Sequence, residues 1–151
     1  MQATIVSDTS CLILLEKVEA LHLLQLLFGQ VYITPEVAAE YGNNLPNWVS
    51  IKSPIDNQRQ KVLEVAVDKG EASAIALALE QSDCLLIIDD LKGRKLAKRL
   101  GINITGTLGV LVQAKQSGHL AAVRPLLEKL QQTDFRLTNQ LLEEVLQAAG
   151  E

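Results

Sequence analysis

The chain has 151 residues, which suffices for a single domain that buries roughly two-thirds of the surface its unfolded form exposes. Its residues are 48% hydrophobic but only 3% aromatic, which favours an aliphatic core of helices packed on a sheet. The formal net charge of −4 gives no support to a nucleic-acid-binding protein, and no apolar run approaches the ~18 residues of a membrane span.

The first half of the chain alternates short β-branched runs with helical periodicity. Residues 4–7 predict a strand that ends at Asp8, and the leucine-rich segment 9–28 predicts two helices. Thr34 and Pro35 are residue types preferred at the N-cap and the first position of a helix, so they predict a helix start. The strands predicted in this half are 4–7, 31–33 and 48–52, with the last at an edge of the sheet.

The second half continues the alternation and begins with a predicted helix over about 56–68, closed by Gly70. The next helix, 70–80, is rich in small residues that allow close approach to neighbouring backbone. The run 84–88 is apolar on both faces, which is typical of a central parallel strand, and 102–104 predicts the last strand. The remaining helices are predicted at about 91–100, 105–117, 120–131 and 138–148.

Strands that alternate with helices predict a three-layer α/β/α domain with a central, mostly parallel sheet of four or five strands. We expect residues 1–118 to carry the sheet and the functional site, and 119–151 to form a C-terminal helical extension on the same domain. Cys11 and Cys84 lie in apolar runs without CxxC spacing and are expected to be buried and reduced. The opening strand does not resemble a signal peptide, so we expect a cytoplasmic protein.

Acidic residues follow two of the predicted strands. Asp8 follows the first, and Asp89 with Asp90 follows the central one, so parallel strands would bring these carboxylates to one edge. Each acid has a structural alternative, since Asp8 and Asp90 could simply cap helices and Glu71 lies in a favourable first turn. Glu40 lies late in its helix, where the macrodipole disfavours it. Gathered carboxylates repel one another unless a cation neutralises them, and their oxygens suit Mg²⁺ or Mn²⁺.

Basic residues are concentrated in the predicted helix that follows the acidic pair. Five of the 14 basic side chains lie there, and they are Lys92, Arg94, Lys95, Lys98 and Arg99. Such a helix could hold phosphates beside a metal ion, although a solvated helix face is the alternative interpretation.

Four acidic segments, taken in order, resemble the PIN domain. They are Val-Ser-Asp-Thr-Ser around Asp8, Ile-Thr-Pro-Glu-Val-Ala-Ala-Glu ending at Glu40, Gly-Glu-Ala-Ser-Ala-Ile around Glu71, and Leu-Ile-Ile-Asp-Asp-Leu-Lys-Gly-Arg-Lys-Leu-Ala around Asp89 and Asp90. The resemblance covers residues 3–118. PIN domains are metal-dependent ribonucleases, and the small free-standing ones include the VapC-type toxins of bacterial toxin–antitoxin pairs.

The resemblance implies an endoribonuclease that uses Mg²⁺ or Mn²⁺ to hydrolyse RNA. It implies a metal-binding and catalytic cluster of five acids, which are Asp8, Glu40, Glu71, Asp89 and Asp90. Hydroxyl and basic side chains beside the cluster are candidates for positioning the substrate, and they are Thr9, Ser10, Lys92, Arg94 and Lys95. A small antitoxin protein is a candidate partner, and the leucine content of residues 9–28 predicts a homodimer.

Two alternatives stay open at this point. One is a catalytically inactive PIN-fold module that binds RNA or protein. The other is a receiver-like or phosphatase-like acidic domain, which is disfavoured because it expects the acidic pair after the first strand and the single Asp after a later one. No Walker A sequence, dinucleotide-binding glycine motif, nucleophile elbow or zinc-ligand spacing is present.

Overall fold

The computed structural model describes residues 3–151, so residues 1 and 2 of the predicted domain lie outside the described part. Five parallel strands form one sheet in the order β3-β2-β1-β4-β5. The strands are β1 (Thr4–Ser7), β2 (Val31–Ile33), β3 (Val49–Ile51), β4 (Cys84–Ile87) and β5 (Asn103–Thr105). The parallel sheet with β3 at one edge confirms the prediction from sequence.

Helices connect and cover the strands on both faces of the sheet. They are α1 (Thr9–Lys17), α2 (His22–Phe28), α3 (Pro35–Tyr41), α4 (Asn57–Leu63), α5 (Lys69–Leu79), α6 (Leu91–Arg99), α7 (Thr107–Gln116), α8 (Arg124–Gln131) and α9 (Asn139–Ala148). The predicted three-layer α/β/α architecture is therefore confirmed. None of these helices within the described chain is long and apolar enough to cross a membrane.

Two aliphatic clusters account for the core, one on each face of the sheet. The larger contains Leu12, Leu24 and Leu111 and joins α1, α2 and α7 to the sheet. The smaller contains Ile75 and Leu86 and packs α5 against β4. The near absence of aromatic residues is consistent with this arrangement, because branched aliphatic side chains fill the narrow space between helix and sheet.

The C-terminal helices belong to the larger cluster. α8, α9 and the residues that cap them bury six side chains in it, which are Val123, Leu127, Leu130, Val145, Leu146 and Ala149. The carboxylate of Glu151 accepts hydrogen bonds from the Val123 backbone N–H at 2.6 Å and from Lys115 Nζ at 3.2 Å. These contacts attach residues 119–151 to the face of the sheet that α7 covers.

One predicted helix boundary is wrong. The helix predicted over 56–68 ends at Leu63, and Gly70 does not close it but lies in the first turn of α5. The reason is a capping box at the start of α5. The Glu71 N–H donates to Asp68 Oδ1 at 2.8 Å, and the Asp68 N–H donates to Glu71 Oε1 at 3.3 Å. These reciprocal bonds start a new helix at a point where the local sequence permits the old one to continue.

The strand register brings the candidate site together. β1 and β4 are adjacent, with Ser7 opposite Ile87, and the Asp8 N–H donates to the Ile87 carbonyl at 2.9 Å. The carboxyl ends of the two strands are therefore level, and the residues that follow them emerge at the same edge of the sheet.

Candidate active site

Asp8 lies between the end of β1 and the start of α1. It occupies the N-cap position of α1, but its side chain makes no capping hydrogen bond. The residue is only 6% exposed. The pKa of its carboxyl is raised to about 7, chiefly by burial and also by the nearby charges of Asp68, Glu40 and Asp89, against the opposing effect of the Thr9 backbone N–H. Asp8 is thus a buried acid that the helix does not use as a cap.

Asp89 follows β4 and is held by three hydrogen bonds. Its Oδ1 accepts from the Thr107 N–H at 2.8 Å, and its Oδ2 accepts from the Thr107 hydroxyl at 2.6 Å and the Ser10 hydroxyl at 3.3 Å. These donors come from the first turns of α7 and α1. Asp89 therefore connects three elements of the fold, and its carboxylate orientation is determined by groups far away in the chain.

Asp90 has a different role, although it is the next residue. It is the N-cap of α6, and its Oδ2 accepts from the Gly93 N–H at 3.2 Å. The capping role that the sequence allowed for Asp90 is therefore present. The side chain also contacts the carboxyl of Glu71.

Glu40 lies in the last turn of α3 and reaches over the start of α5. Its Oε2 accepts from the Thr9 hydroxyl at 3.2 Å. A Cβ atom placed on Gly70 would lie only 2.0 Å from Glu40 Oε1. Gly70 is therefore needed for close approach between the Glu40 carboxylate and the α5 backbone, and not for ending a helix.

Glu71 is 5% exposed and lies beside two other acids. The pKa of its carboxyl is raised to about 8, chiefly by burial and also by its contacts with Asp68 and Asp90. Asp68 was not identified from the sequence as a candidate, yet its charge acts on both Asp8 and Glu71. The signal that could have identified it is the Asp-x-x-Glu spacing of a capping box.

The acids form two groups joined by Asp68. Asp8 is influenced by Glu40, Asp68 and Asp89, whereas Glu71 is influenced by Asp68 and Asp90. Within residues 3–151, no three His, Cys, Asp or Glu side chains converge on a point that would hold one metal ion. The structure thus gathers all five predicted acids at one edge of the sheet without assembling them into a preformed metal site.

The basic residues differ in their distance from this edge. Arg94 Nη1 donates to the Ile88 carbonyl at 2.8 Å, which fixes it at the end of β4. Lys92 lines a cavity together with Asp68, Glu71 and Asp90. Lys95 lies on an exposed part of α6 and is in neither of the two ion pairs within residues 3–151.

Two cavities lie on either side of the Asp89–Asp90 pair. The Asp89 cavity, of about 500 Å³, is lined by Asp89, Arg94 and Gly106 together with residues of the segment that joins α8 to α9. The Glu71 cavity, of about 620 Å³, is lined by Glu71, Asp90 and their neighbours. A Cβ on Gly106 would lie 2.7 Å from Asp89 Oδ1 and 2.8 Å from Arg94 Nη1, so glycine lets both side chains approach the backbone.

Comparison with protein families assigns the fold. A family model described as a PIN domain matches residues 4–151. The chain belongs to the PIN-domain family. PIN domains are commonly nucleases and typically bind divalent metals. No curated protein matches the chain. The family match continues beyond residue 118, so α8 and α9 lie inside the matched part of this PIN domain.

Proposed function

We propose that this PIN domain is a metal-dependent endoribonuclease that hydrolyses RNA phosphodiester bonds. The observation that carries the proposal is the pairing of Asp8 and Asp89 at the level ends of β1 and β4. Asp8 is buried without serving as a helix cap, and Asp89 is oriented by donors from two other elements. Perturbed acids gathered at the carboxyl edge of a parallel sheet are typical of a functional site.

The chemistry of these donors fits a divalent cation. Without a cation, the charges of Glu40, Asp68 and Asp89 favour the protonated form of Asp8, so a positive ion would relieve repulsion that already exists. Mg²⁺ usually keeps several of its waters and takes one or two carboxylates from the protein, so it does not require three side chains in direct contact. We assign Asp8 and Asp89 as the residues that would hold Mg²⁺ or Mn²⁺, with Glu40 next to them.

When bound, such an ion lowers the pKa of water and stabilises the charge that develops on phosphate. The protein contributes orientation, since Ser10 donates to Asp89 and Thr9 donates to Glu40. Arg94, fixed at the Ile88 carbonyl, is placed to contact the RNA backbone beside Asp89. Glu71 and Asp90 keep their carboxyls at the adjacent cavity, where Lys92 offers a further phosphate contact.

The direct test is cleavage of a mixed RNA pool by the purified protein with Mn²⁺, and with EDTA as the control. Cleavage that requires Mn²⁺ and disappears with EDTA supports the nuclease. RNA binding without cleavage under any divalent ion contradicts it and favours the alternative, an inactive PIN-fold module that binds RNA or protein. Running single-stranded DNA in parallel reports whether the activity is restricted to RNA.

The proposed setting is a cytoplasmic toxin that is paired with a small antitoxin protein. A gene next to this one that encodes a small DNA-binding protein would support that pairing.

The homodimer stays a prediction. Leu12, Leu15, Leu23 and Leu24 of the leucine-rich segment are buried in the core, whereas Leu26 is 49% exposed. Sedimentation at micromolar concentration decides the oligomeric state, because a single species at the 16.5 kDa mass of one chain excludes the dimer.

A further inference from the structure

The Asp89 cavity has one wall that comes from the C-terminal part of the chain. Phe135 and Arg136, in the segment between α8 and α9, line it together with Arg94 and Gly106. Its volume of about 500 Å³ lies within the ~300–1,000 Å³ typical of small-ligand sites. None of the substrate-positioning residues predicted from the sequence lies in this segment.

The positive charges of this cavity are available to a ligand. The ion pairs within residues 3–151 are Arg59 with Asp56 and Lys115 with Glu151, so neither Arg94 nor Arg136 is paired with a carboxylate. Arg94 uses one N–H at the Ile88 carbonyl, which leaves further donors of its guanidinium. The Asp89 carboxylate already accepts three hydrogen bonds. The cavity therefore combines two arginines with one well-satisfied carboxylate, and it suits an anionic group.

The aromatic side chain is held in place by its own segment. Phe135 packs against the larger core cluster and is partly exposed at the cavity. Its backbone N–H donates to the Thr133 hydroxyl at 3.1 Å, and that hydroxyl donates to the Leu130 carbonyl at the end of α8 at 2.6 Å. An aromatic ring next to two arginines offers the two contacts that a nucleotide of a single strand requires, which are a stacking surface and phosphate donors.

We propose that the Asp89 cavity binds one nucleotide of single-stranded RNA, with its base against Phe135 and its phosphate between Arg94 and Arg136. This inference rests on the proposed nuclease function, since the nucleotide bound there flanks the bond cleaved beside Asp8 and Asp89. The C-terminal segment is thus a substrate-positioning part of the site. Stacking and phosphate contacts tolerate any base, so the cavity selects for single-stranded character over sequence.

The first experiment changes the charge at the rim of the cavity. Arg136→Ala removes an exposed side chain, and Arg124→Ala is the matched control, because Arg124 is also exposed but starts α8 outside the cavity. With Mn²⁺ and a single-stranded RNA oligonucleotide, we expect Arg136→Ala to raise KM about tenfold with kcat within about twofold of the original, and Arg124→Ala to change neither. Equal KM values for the two variants would overturn the proposal.

The second experiment tests stacking and separates it from folding. Phe135→Leu keeps an apolar side chain in the core contact and removes the aromatic face. We expect about a five- to tenfold weaker affinity for the intact oligonucleotide. A set of oligonucleotides that each lack one base, at successive positions along the strand, locates the stacked base. At one of these positions, Phe135→Leu should cause no further loss of affinity. A loss that is the same on every abasic substrate would contradict stacking by Phe135 and indicate a structural effect.

Measuring affinity by fluorescence anisotropy without metal distinguishes the two proposals. Cleavage by the original protein with no effect of Arg136→Ala or Phe135→Leu overturns the nucleotide site alone. RNA binding that depends on Arg136 and Phe135, without cleavage, overturns the nuclease proposal and supports the nucleotide site. A protein that neither binds nor cleaves the oligonucleotides overturns both.

Discussion

The two cavities beside the Asp89–Asp90 pair have opposite character. On the Asp89 side, hydroxyl and N–H groups of Thr107 and Ser10 satisfy the carboxylate, and two arginines that form no ion pair within residues 3–151 lie nearby. On the Glu71 side, carboxyls contact one another, and burial raises the pKa of the Glu71 carboxyl. Both residues follow the end of β4, but the first is held by groups of α7 and α1 whereas the second caps α6, so two identical side chains enter different environments. The difference supports the proposal that the anionic substrate lies on the Asp89 side.

The largest expected effect is the loss of cleavage in Asp8→Asn and in Asp89→Asn. The amide keeps the shape of each side chain but removes the charge that holds a divalent ion, so we expect a decrease in kcat/KM of at least about 100-fold. Both variants should also lose thermal stabilisation by Mn²⁺, because a ligand that binds only the native state raises its stability.

The matched control for this loss is Asp83→Asn. Asp83 is exposed and directly precedes β4, at the end of the sheet opposite to the site. The Asp83→Asn variant should cleave RNA at the rate of the unsubstituted protein. If Asp8→Asn or Asp89→Asn cleaves as well as Asp83→Asn, the assignment of the site is wrong.

The next effect separates the two members of the acidic pair. Asp90→Asn should reduce kcat/KM by less than about tenfold, because asparagine caps a helix nearly as well as aspartate and Asp90 acts through α6 and Glu71. Urea unfolding should show a change in stability below about 1 kcal/mol. Equal decreases in kcat/KM for Asp89→Asn and Asp90→Asn would contradict the distinction between the two cavities.

The third prediction concerns pH and stability without metal. The pKa values of Asp8 and Glu71 are raised on folding, to about 7 and about 8, so the native state binds protons that the unfolded state releases. Their contribution is fully present below about pH 4 and is lost as pH rises through about 7 to 8. In EDTA, the free energy of unfolding should therefore decrease from pH 5 to pH 8.5, on the order of a few kcal/mol.

Two comparisons check the origin of this decrease in the free energy of unfolding with pH. Asp8→Asn should make the decrease smaller, because one of the two titrating carboxyls is gone. Mn²⁺ should stabilise the protein more at pH 8 than at pH 6, since a metal ion competes with protons for the carboxylates. A metal-free protein whose stability rises between pH 5 and pH 8.5 would contradict the raised pKa values.

The smallest effect is expected from Gly70→Ala. The new methyl group would lie 2.0 Å from Glu40 Oε1, but Glu40 is exposed and can move away, while alanine favours the helix by up to about 1 kcal/mol over glycine. We expect a stability within about 1 kcal/mol of the original and a few-fold weaker Mn²⁺ affinity, measured by calorimetry. In a Glu40→Ala background the same substitution should leave Mn²⁺ affinity unchanged, because the displaced carboxylate is absent.

Local patterns in the sequence were sufficient to predict the elements and their order. β-branched runs predicted the strands, Thr34-Pro35 predicted the start of α3, and the apolar run before Asp89 predicted a central parallel strand. The order of strands and helices then requires acids that follow parallel strands to emerge at one edge. For this reason the sequence alone predicts that Asp8 and Asp89 lie together, as the register of β1 and β4 shows.

Contacts between distant residues decided what each acid does at that edge. Thr107 donates to Asp89 across 18 residues, Glu40 reaches the backbone at Gly70, and Phe135 and Arg136 come to the site from the segment between α8 and α9. No local periodicity contains such pairings, because they depend on strand order and helix packing. The sequence therefore determined that Asp8 and Asp89 gather at one edge. Only the tertiary structure decided that Asp68 joins the two groups of acids, that Asp89 is oriented by α7, and that a cavity with two arginines lies beside it.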